Sequence, residues 1–199
     1  MQIAICNLNI MTPAIKSIFK SISPFTEEEL NFLEPYIKPV VLRKNETLIA
    51  EGQICKHIFL VEQGCLRNFY NNDGSDVNLN FTMEGQFFTS FESYANREPS
   101  KIIIQAMEKS LVWIINSRAF PKEHEYYTTF STFIRRLFIR LLLTTEEHHN
   151  MMRMNTPAER YEYILKNKPE MIQRIPLTHV ASYIGITRET LSRIRSNSY

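Results

Sequence analysis

The chain has 199 residues, 44% of them hydrophobic, 22% charged and 12% aromatic, with a formal net charge of +2. This length allows one large domain or two small ones, and the apolar content excludes a disordered chain and a collagen-like fibre. No stretch reaches the roughly 18 apolar residues of a membrane span, and three cysteines (Cys6, Cys55, Cys65) without C-x-x-C spacing exclude a disulfide framework and a four-thiolate metal site.

The first residues, MQIAICNLNIMTPAIK, have no basic start before their apolar positions, so they do not read as a signal peptide. A soluble, cytoplasmic setting is expected. Short helices are predicted next, with Ser23-Pro24-Phe25-Thr26 capping one that starts at Glu27. Four of the five glycines, Gly52, Gly64, Gly74 and Gly85, then fall 12, 10 and 11 residues apart, as turns between short strands do. The segments Val40–Leu42, His57–Val61, Leu66–Tyr70 and Val77–Phe81 carry strand-forming residues, and the last alternates apolar and polar with period two. Asn71-Asn72-Asp73-Gly74 supplies left-handed positions for a tight hairpin. Two further strands, Lys101 to Met107 and Leu111 to Ile115, complete an antiparallel jelly roll over about 38–118. An α+β fold follows, with residues 1–120 holding the helices and the roll.

Beyond Pro121 the period changes. Phe130, Ile134, Leu137 and Leu141 are spaced 4, 3 and 4 apart, which is a coiled-coil seam, and Phe133, Phe138 and Leu142 lie beside it. A long helix over 121–150 is expected to bury one apolar face against the roll and the other, the seam, against a copy of itself. An ordinary core helix in a monomer is the alternative. Thr156 and Pro157 then open a new helix that Pro169 stops, beginning a C-terminal domain over 151–199. Residues 1–120 hold 11 basic against 13 acidic side chains, whereas 121–199 hold 12 against 8, an excess suited to a polyanionic partner.

The most specific pattern is LTHVASYIGITRETLSRI, Leu177 to Ile194. Apolar Val180, Ile184, Ile186, Leu191 and Ile194, small Ala181 at a helix crossing, Gly185 at a sharp turn and Thr187 as an N-cap make a helix-turn-helix. Arg188, Glu189, Ser192 and Arg193 then share the outward face of the second helix. Arginine bonds guanine bidentately and glutamate accepts from cytosine N4, so these residues suit base reading in double-stranded DNA. Lys166 and Arg174 are placed nearer the phosphates.

A jelly roll, a long helix and a C-terminal helix-turn-helix ending in TRETLSR resemble the Crp/Fnr superfamily of bacterial transcription regulators. Arg188, Glu189 and Arg193 match that family's recognition pattern R-E-x-x-x-R, and Leu60 to Arg67 is similar to its strand pair around a glycine. The resemblance implies a winged helix-turn-helix, a homodimer on an inverted repeat, and RNA polymerase as a further partner. It implies no catalytic residues and no resident cofactor.

The effector region departs from the family. Cyclic-nucleotide binders carry Gly-Glu for the ribose and Arg followed by Ser or Thr for the phosphate. Here Phe88 is followed by Thr89-Ser90, Pro99-Ser100 stands where Arg-Ser belongs, and Arg97 lies two residues early. Without an aimed guanidinium a buried phosphate is costly, so the effector is expected not to be a cyclic nucleotide. The other readings are a sensing module in which Arg97 acts as a displaced clamp, and an effector-independent DNA-binding dimer. Phe87, Phe88, Phe91 and Tyr94 could fill the pocket themselves. No metal site is expected: Glu146 to Met152 reads as a polar helix end, His57 and Cys65 are the conceivable haem ligands, and one histidine in the roll is too few for a cupin enzyme.

Overall fold

The computed structural model describes residues 11–197, the side chain of the last excepted, so Cys6 lies outside the described residues. Two compact units are formed. The first comprises residues up to 67 together with 82–141; the second comprises 68–81 together with 142 onwards. These boundaries differ from the three expected consecutive segments. The long helix is shared between the units, and a strand hairpin from the roll is counted with the C-terminal helices.

The first unit opens with α1 (Pro13–Ile22) and α2 (Glu27–Leu33). Thr26 closes a capping box with Glu29, so the expected cap is present and Thr26 is its residue. A 3₁₀ turn, Glu34–Tyr36, leads into the roll. The strands are β1 (Ile37–Leu42), β2 (Thr47–Ile49), β3 (Ile58–Gln63), β4 (Leu66–Asn72), β5 (Ser75–Thr82) and β6 (Phe87–Phe88). After α3 (Phe91–Asn96) come β7 (Ile103–Ala106) and β8 (Ser110–Ile115). They form two four-stranded sheets ordered β1-β8-β3-β6 and β2-β7-β4-β5, the double-sheet jelly roll expected from the glycine spacing.

The β1-β8-β3-β6 sheet is covered on both faces, and its sequence shows why. Along β3, Phe59 and Val61 point into the roll with Val112 of β8, while Ile58 and Leu60 point outward with Trp113 and Ile115. The outward residues meet Ile15, Phe19, Leu30 and Leu33 of the helices. A strand buried on both sides needs no polar alternation, hence the continuous run Ile58-Phe59-Leu60-Val61. Gly64 closes the β3–β4 turn at φ +102°, and a Cβ there would sit 2.3 Å from Ser110 Oγ. No side chain fits.

Helix α4 (Tyr127–Met154) completes the first unit with its N-terminal half. Phe133 is fully buried, stacked on Phe19 at 4.7 Å and edge-on to Phe25 and Phe87 at 5.4 and 5.9 Å. The expected seam goes the same way. Phe130 stacks on Phe120 at 4.3 Å, Leu137 is 1% exposed, and Ile134 and Leu141 are half-buried against the same core. These four side chains are therefore occupied within the chain. The 4-3-4 spacing marks the helix's inner face, because core burial and a coiled-coil seam impose nearly the same period. Exposed instead are Arg135, Ile139, Leu142, Glu146, His149 and Arg153, again spaced 4, 3, 4, 3 and 4.

The second unit contains the β4–β5 hairpin, the C-terminal half of α4, and α5 (Pro157–Asn167), α6 (Pro169–Arg174), α7 (Leu177–Tyr183) and α8 (Arg188–Asn197). Thr156 caps α5 through a capping box with Glu159, as the Thr-Pro start predicts. No strand follows α8 among the described residues, so the expected wing is not among them.

Candidate nucleic-acid interface

Two helices joined by a tight turn build the site. Val180, Ala181, Tyr183 and Ile184 of the first helix and Leu191 of the second are at most 2% exposed and form its core. Gly185 makes the turn at φ +71°, its N–H donating to Ser182 O at 3.1 Å, and Ile186 N–H returns to Ala181 O at 3.0 Å. Thr187 caps α8 by accepting from Thr190 N–H at 3.2 Å. Each of these positions was readable from the sequence.

The cap sets the direction of the next side chains. Arg188, Glu189, Ser192 and Arg193 are all exposed on α8, whose Leu191 is buried, together with Thr187 at its start. The Glu189 carboxyl is held below the usual range by its own backbone N–H and the Thr187 hydroxyl, with Arg188 and Arg193 adding charge attraction. It is therefore an ionised acceptor at neutral pH. Two guanidiniums and a carboxylate on one face can read base edges by directed hydrogen bonds. Lys166 is exposed near the end of α5, and Arg174 is half-buried at the end of α6.

What holds this pair of helices was not legible. Arg160 on α5 donates to three carbonyls: Nε to Asn155 at 3.0 Å, Nη1 to Ile184 at 3.1 Å and Nη2 to Met152 at 2.6 Å. One side chain thus joins the end of α4, the linker and the turn. The hairpin grips α7 as well. Asn78 N–H donates to Ser182 Oγ at 2.9 Å, Ser182 Oγ donates to Asp76 O at 3.0 Å, and the Asn78 amide meets His179 Nδ1 at 3.2 Å. Phe81 lies edge-on to Tyr183 at 5.6 Å. No local pattern announces contacts more than 100 residues apart.

Within the stretch Glu146 to Met152, Glu147, His148 and Met151 are engaged in packing and pairing, whereas Glu146 and His149 are exposed. Tyr163 Oη donates to Glu147 at 2.5 Å, which pushes the tyrosine pKa up to about 12, and Lys168 pairs with the same carboxylate at 3.4 Å. His148 stacks on Tyr183 at 4.4 Å, its Nδ1 buried without a partner, and His149 faces Arg153. Burial, reinforced by Lys168, lowers the His148 pKa below its ordinary 6.5; burial and Lys56 do the same to His57. Such histidines fold as neutral rings but take up protons when unfolded. Their contribution to stability is complete above pH 6.5 and is lost as pH falls from there toward the depressed folded values. We expect the urea midpoint to fall between pH 8 and pH 5.5, with a shallower slope in His148→Phe; a flat profile would contradict the buried neutral rings.

In the roll, the hydroxyls of the expected effector residues already have partners within the protein. Thr89 Oγ1 donates to His57 O at 2.9 Å, Ser90 and Ser100 hydroxyls bond at 2.8 Å, and Ser100 Oγ donates to Ile102 O at 2.7 Å. Phe88 is buried and stacked on Phe59 at 5.2 Å. Phe87 and Tyr94 are also buried, whereas Phe91 is 58% exposed. Arg97 is exposed at the end of α3, in left-handed backbone at φ 62°. Among the described residues the buried guanidinium is Arg67, whose Nε and Nη2 both donate to Gln105 Oε1. His57 and Cys65 flank opposite ends of the six-residue β3, about 20 Å of extended chain, too far to share one metal.

Residues 39–127 match the family model of the cyclic nucleotide-binding domain. No curated protein matches the chain in sequence. Solved structures match its fold. A CooA mutant from Carboxydothermus hydrogenoformans superposes with a TM-score of 0.66 at 15% identity, over 98% of this chain and 85% of that one. The c-di-GMP-responsive global regulator CLP of Xanthomonas campestris gives 0.66 at 15%, over 87% and 91%. A CRP-family transcriptional regulator from Thermus thermophilus gives 0.61 at 14%, over 79% and 82%.

Proposed function

We propose that this chain, which joins a cyclic nucleotide-binding domain to a helix-turn-helix in the Crp/Fnr fold, is a sequence-specific DNA-binding transcriptional regulator. The observation that carries this is the outward face of α8, where Arg188, Glu189, Ser192 and Arg193 project beyond a Thr187-capped N-terminus. The first helix of such a motif crosses the DNA backbone while the N-terminal residues of the second contact base edges. Selection of bound sequences from random duplexes tests it. The expected product is an inverted repeat with half-site centres ~10–10.5 bp apart. No enrichment would overturn the reading.

The inverted repeat needs a homodimer, and α4 is the element that would form it. With Phe130, Ile134, Leu137 and Leu141 turned inward, the face left for a second copy is Arg135, Ile139, Leu142, Glu146, His149 and Arg153. Ile139 and Leu142 are 48% and 66% exposed, and the heptad spacing of the stripe suits a parallel pair of helices. RNA polymerase is the further partner that a regulator of this type implies.

The effector is not a cyclic nucleotide. Thr89, Ser90 and Ser100 already have protein partners, and exposed Arg97 would have to leave its helix end to meet a phosphate. Calorimetry with cyclic AMP is expected to show no submicromolar binding. Tight binding that is lost in Arg97→Ala would establish a displaced clamp instead. The protein partners of the pocket hydroxyls also favour a second reading, in which the dimer binds DNA without an effector. Equal operator affinity before and after dialysis from cell extract would support it.

A further inference from the structure

A concavity of about 350 Å³ lies between the first turn of α7 and one side of α8, lined by Leu177, Arg188, Leu191, Ser192, Arg195 and Ser196. On a helix of 100° per residue Arg195 falls within about 20° of Arg188 and roughly 10 Å further along the axis. Glu189 and Arg193 lie on the other flank. The outward face of α8 therefore has two lanes of charge, and only the Arg188–Arg195 lane runs beside α7.

That neighbour decides what the far end of the lane meets. The first helix of a helix-turn-helix crosses the sugar–phosphate backbone and only the N-terminal residues of the second contact base edges, so a side chain further along the second helix that shares a groove with the first faces phosphate. Here α7, LTHVASY, carries no lysine or arginine, and its His179 and Ser182 are engaged by the hairpin. A cation for that strand therefore comes from an element beside α7. Arg195 is half-buried and lines the groove together with apolar Leu177 and Leu191, a surface along which an arginine stem can lie while its guanidinium stays in water. We infer that this groove is a phosphodiester cradle in which Arg195 is the backbone-positioning residue of the recognition helix. The assignment rests on the DNA-binding reading above and adds a residue outside the R-E-x-x-x-R pattern.

The test compares the selected operator with a scrambled duplex over a series of salt concentrations, for the wild type, Arg195→Ala, Arg195→Gln and Arg195→Lys. Arg195→Gln keeps most of the stem over the leucines and guards against a packing effect. Both neutral variants should weaken operator and scrambled duplex alike, by about tenfold per half-site, as loss of a charged hydrogen bond does. The slope of log K against log salt should fall by about 0.9 per half-site, and Arg195→Lys should restore it. Unchanged affinity and slope in the neutral variants would overturn the assignment, and so would a changed base preference with the slope preserved. A wild type that binds neither duplex would overturn the DNA-binding reading and this cradle together.

Discussion

Arg188→Ala is expected to cost ~1–3 kcal/mol per half-site and to relax base preference at one position of each half-site. A dimer contacts two half-sites, so affinity should fall by about thirtyfold to about twenty-thousandfold. The reason is local. Arg188 is the first residue of α8, exposed beside an N-terminus that Thr187 caps, which is the end of a recognition helix expected to contact base edges. Glu189→Ala should broaden the accepted base at the adjacent position with a smaller loss, because it also removes an ionised carboxylate from the neighbourhood of phosphates. Lys166→Ala should instead weaken all sequences alike and flatten the salt dependence. Sequence selection on each variant checks the set. Unchanged base preference in Arg188→Ala and Glu189→Ala would remove α8 as the reading element.

Phe133→Ala is expected to cost ~3–5 kcal/mol of stability, a large part of the ~5–15 kcal/mol that holds a typical domain. Its ring fills the junction of Phe19, Phe25 and Phe87, and the void left by its removal has rigid aromatic walls. Leu137→Glu should be as damaging for a different reason, since it places an unpaired carboxylate at a position 1% exposed. The outer face should respond otherwise. Ile139→Glu with Leu142→Glu should keep the near-ultraviolet signature of buried Trp113 and convert a dimer to monomer in sedimentation. A Leu137→Glu variant that folds normally and merely dissociates would show that the inner stripe is the dimer seam after all.

These two expectations differ in how much of them the sequence contained. The helix-turn-helix was legible because local physical chemistry fixes it within twenty residues. Gly185 is needed for a positive φ, Thr187 for a cap, Ala181 for a close crossing, and the spacing of Val180, Ile184 and Leu191 assigns the buried side. The exposed positions of Arg188, Glu189, Ser192 and Arg193 follow with no knowledge of the rest of the chain. The roll was legible for a similar reason, through glycines at strand ends and short apolar segments.

Tertiary structure alone decided which apolar face of α4 is inner. Periodicity reports that a face is buried and is silent about what buries it, so Phe130 and Leu137 fit seam and core equally well; α1, α2 and Phe120, packed against them, make them core. The same limit hid Arg160, whose three carbonyl partners come from three separate segments, and the Asn78–Ser182 bond across 104 residues. It also hid the mutual pairing of Ser90 and Ser100, since a hydroxyl free for a ligand and one already bonded have the same sequence. Local motifs carry their own geometry; partners brought together by folding do not.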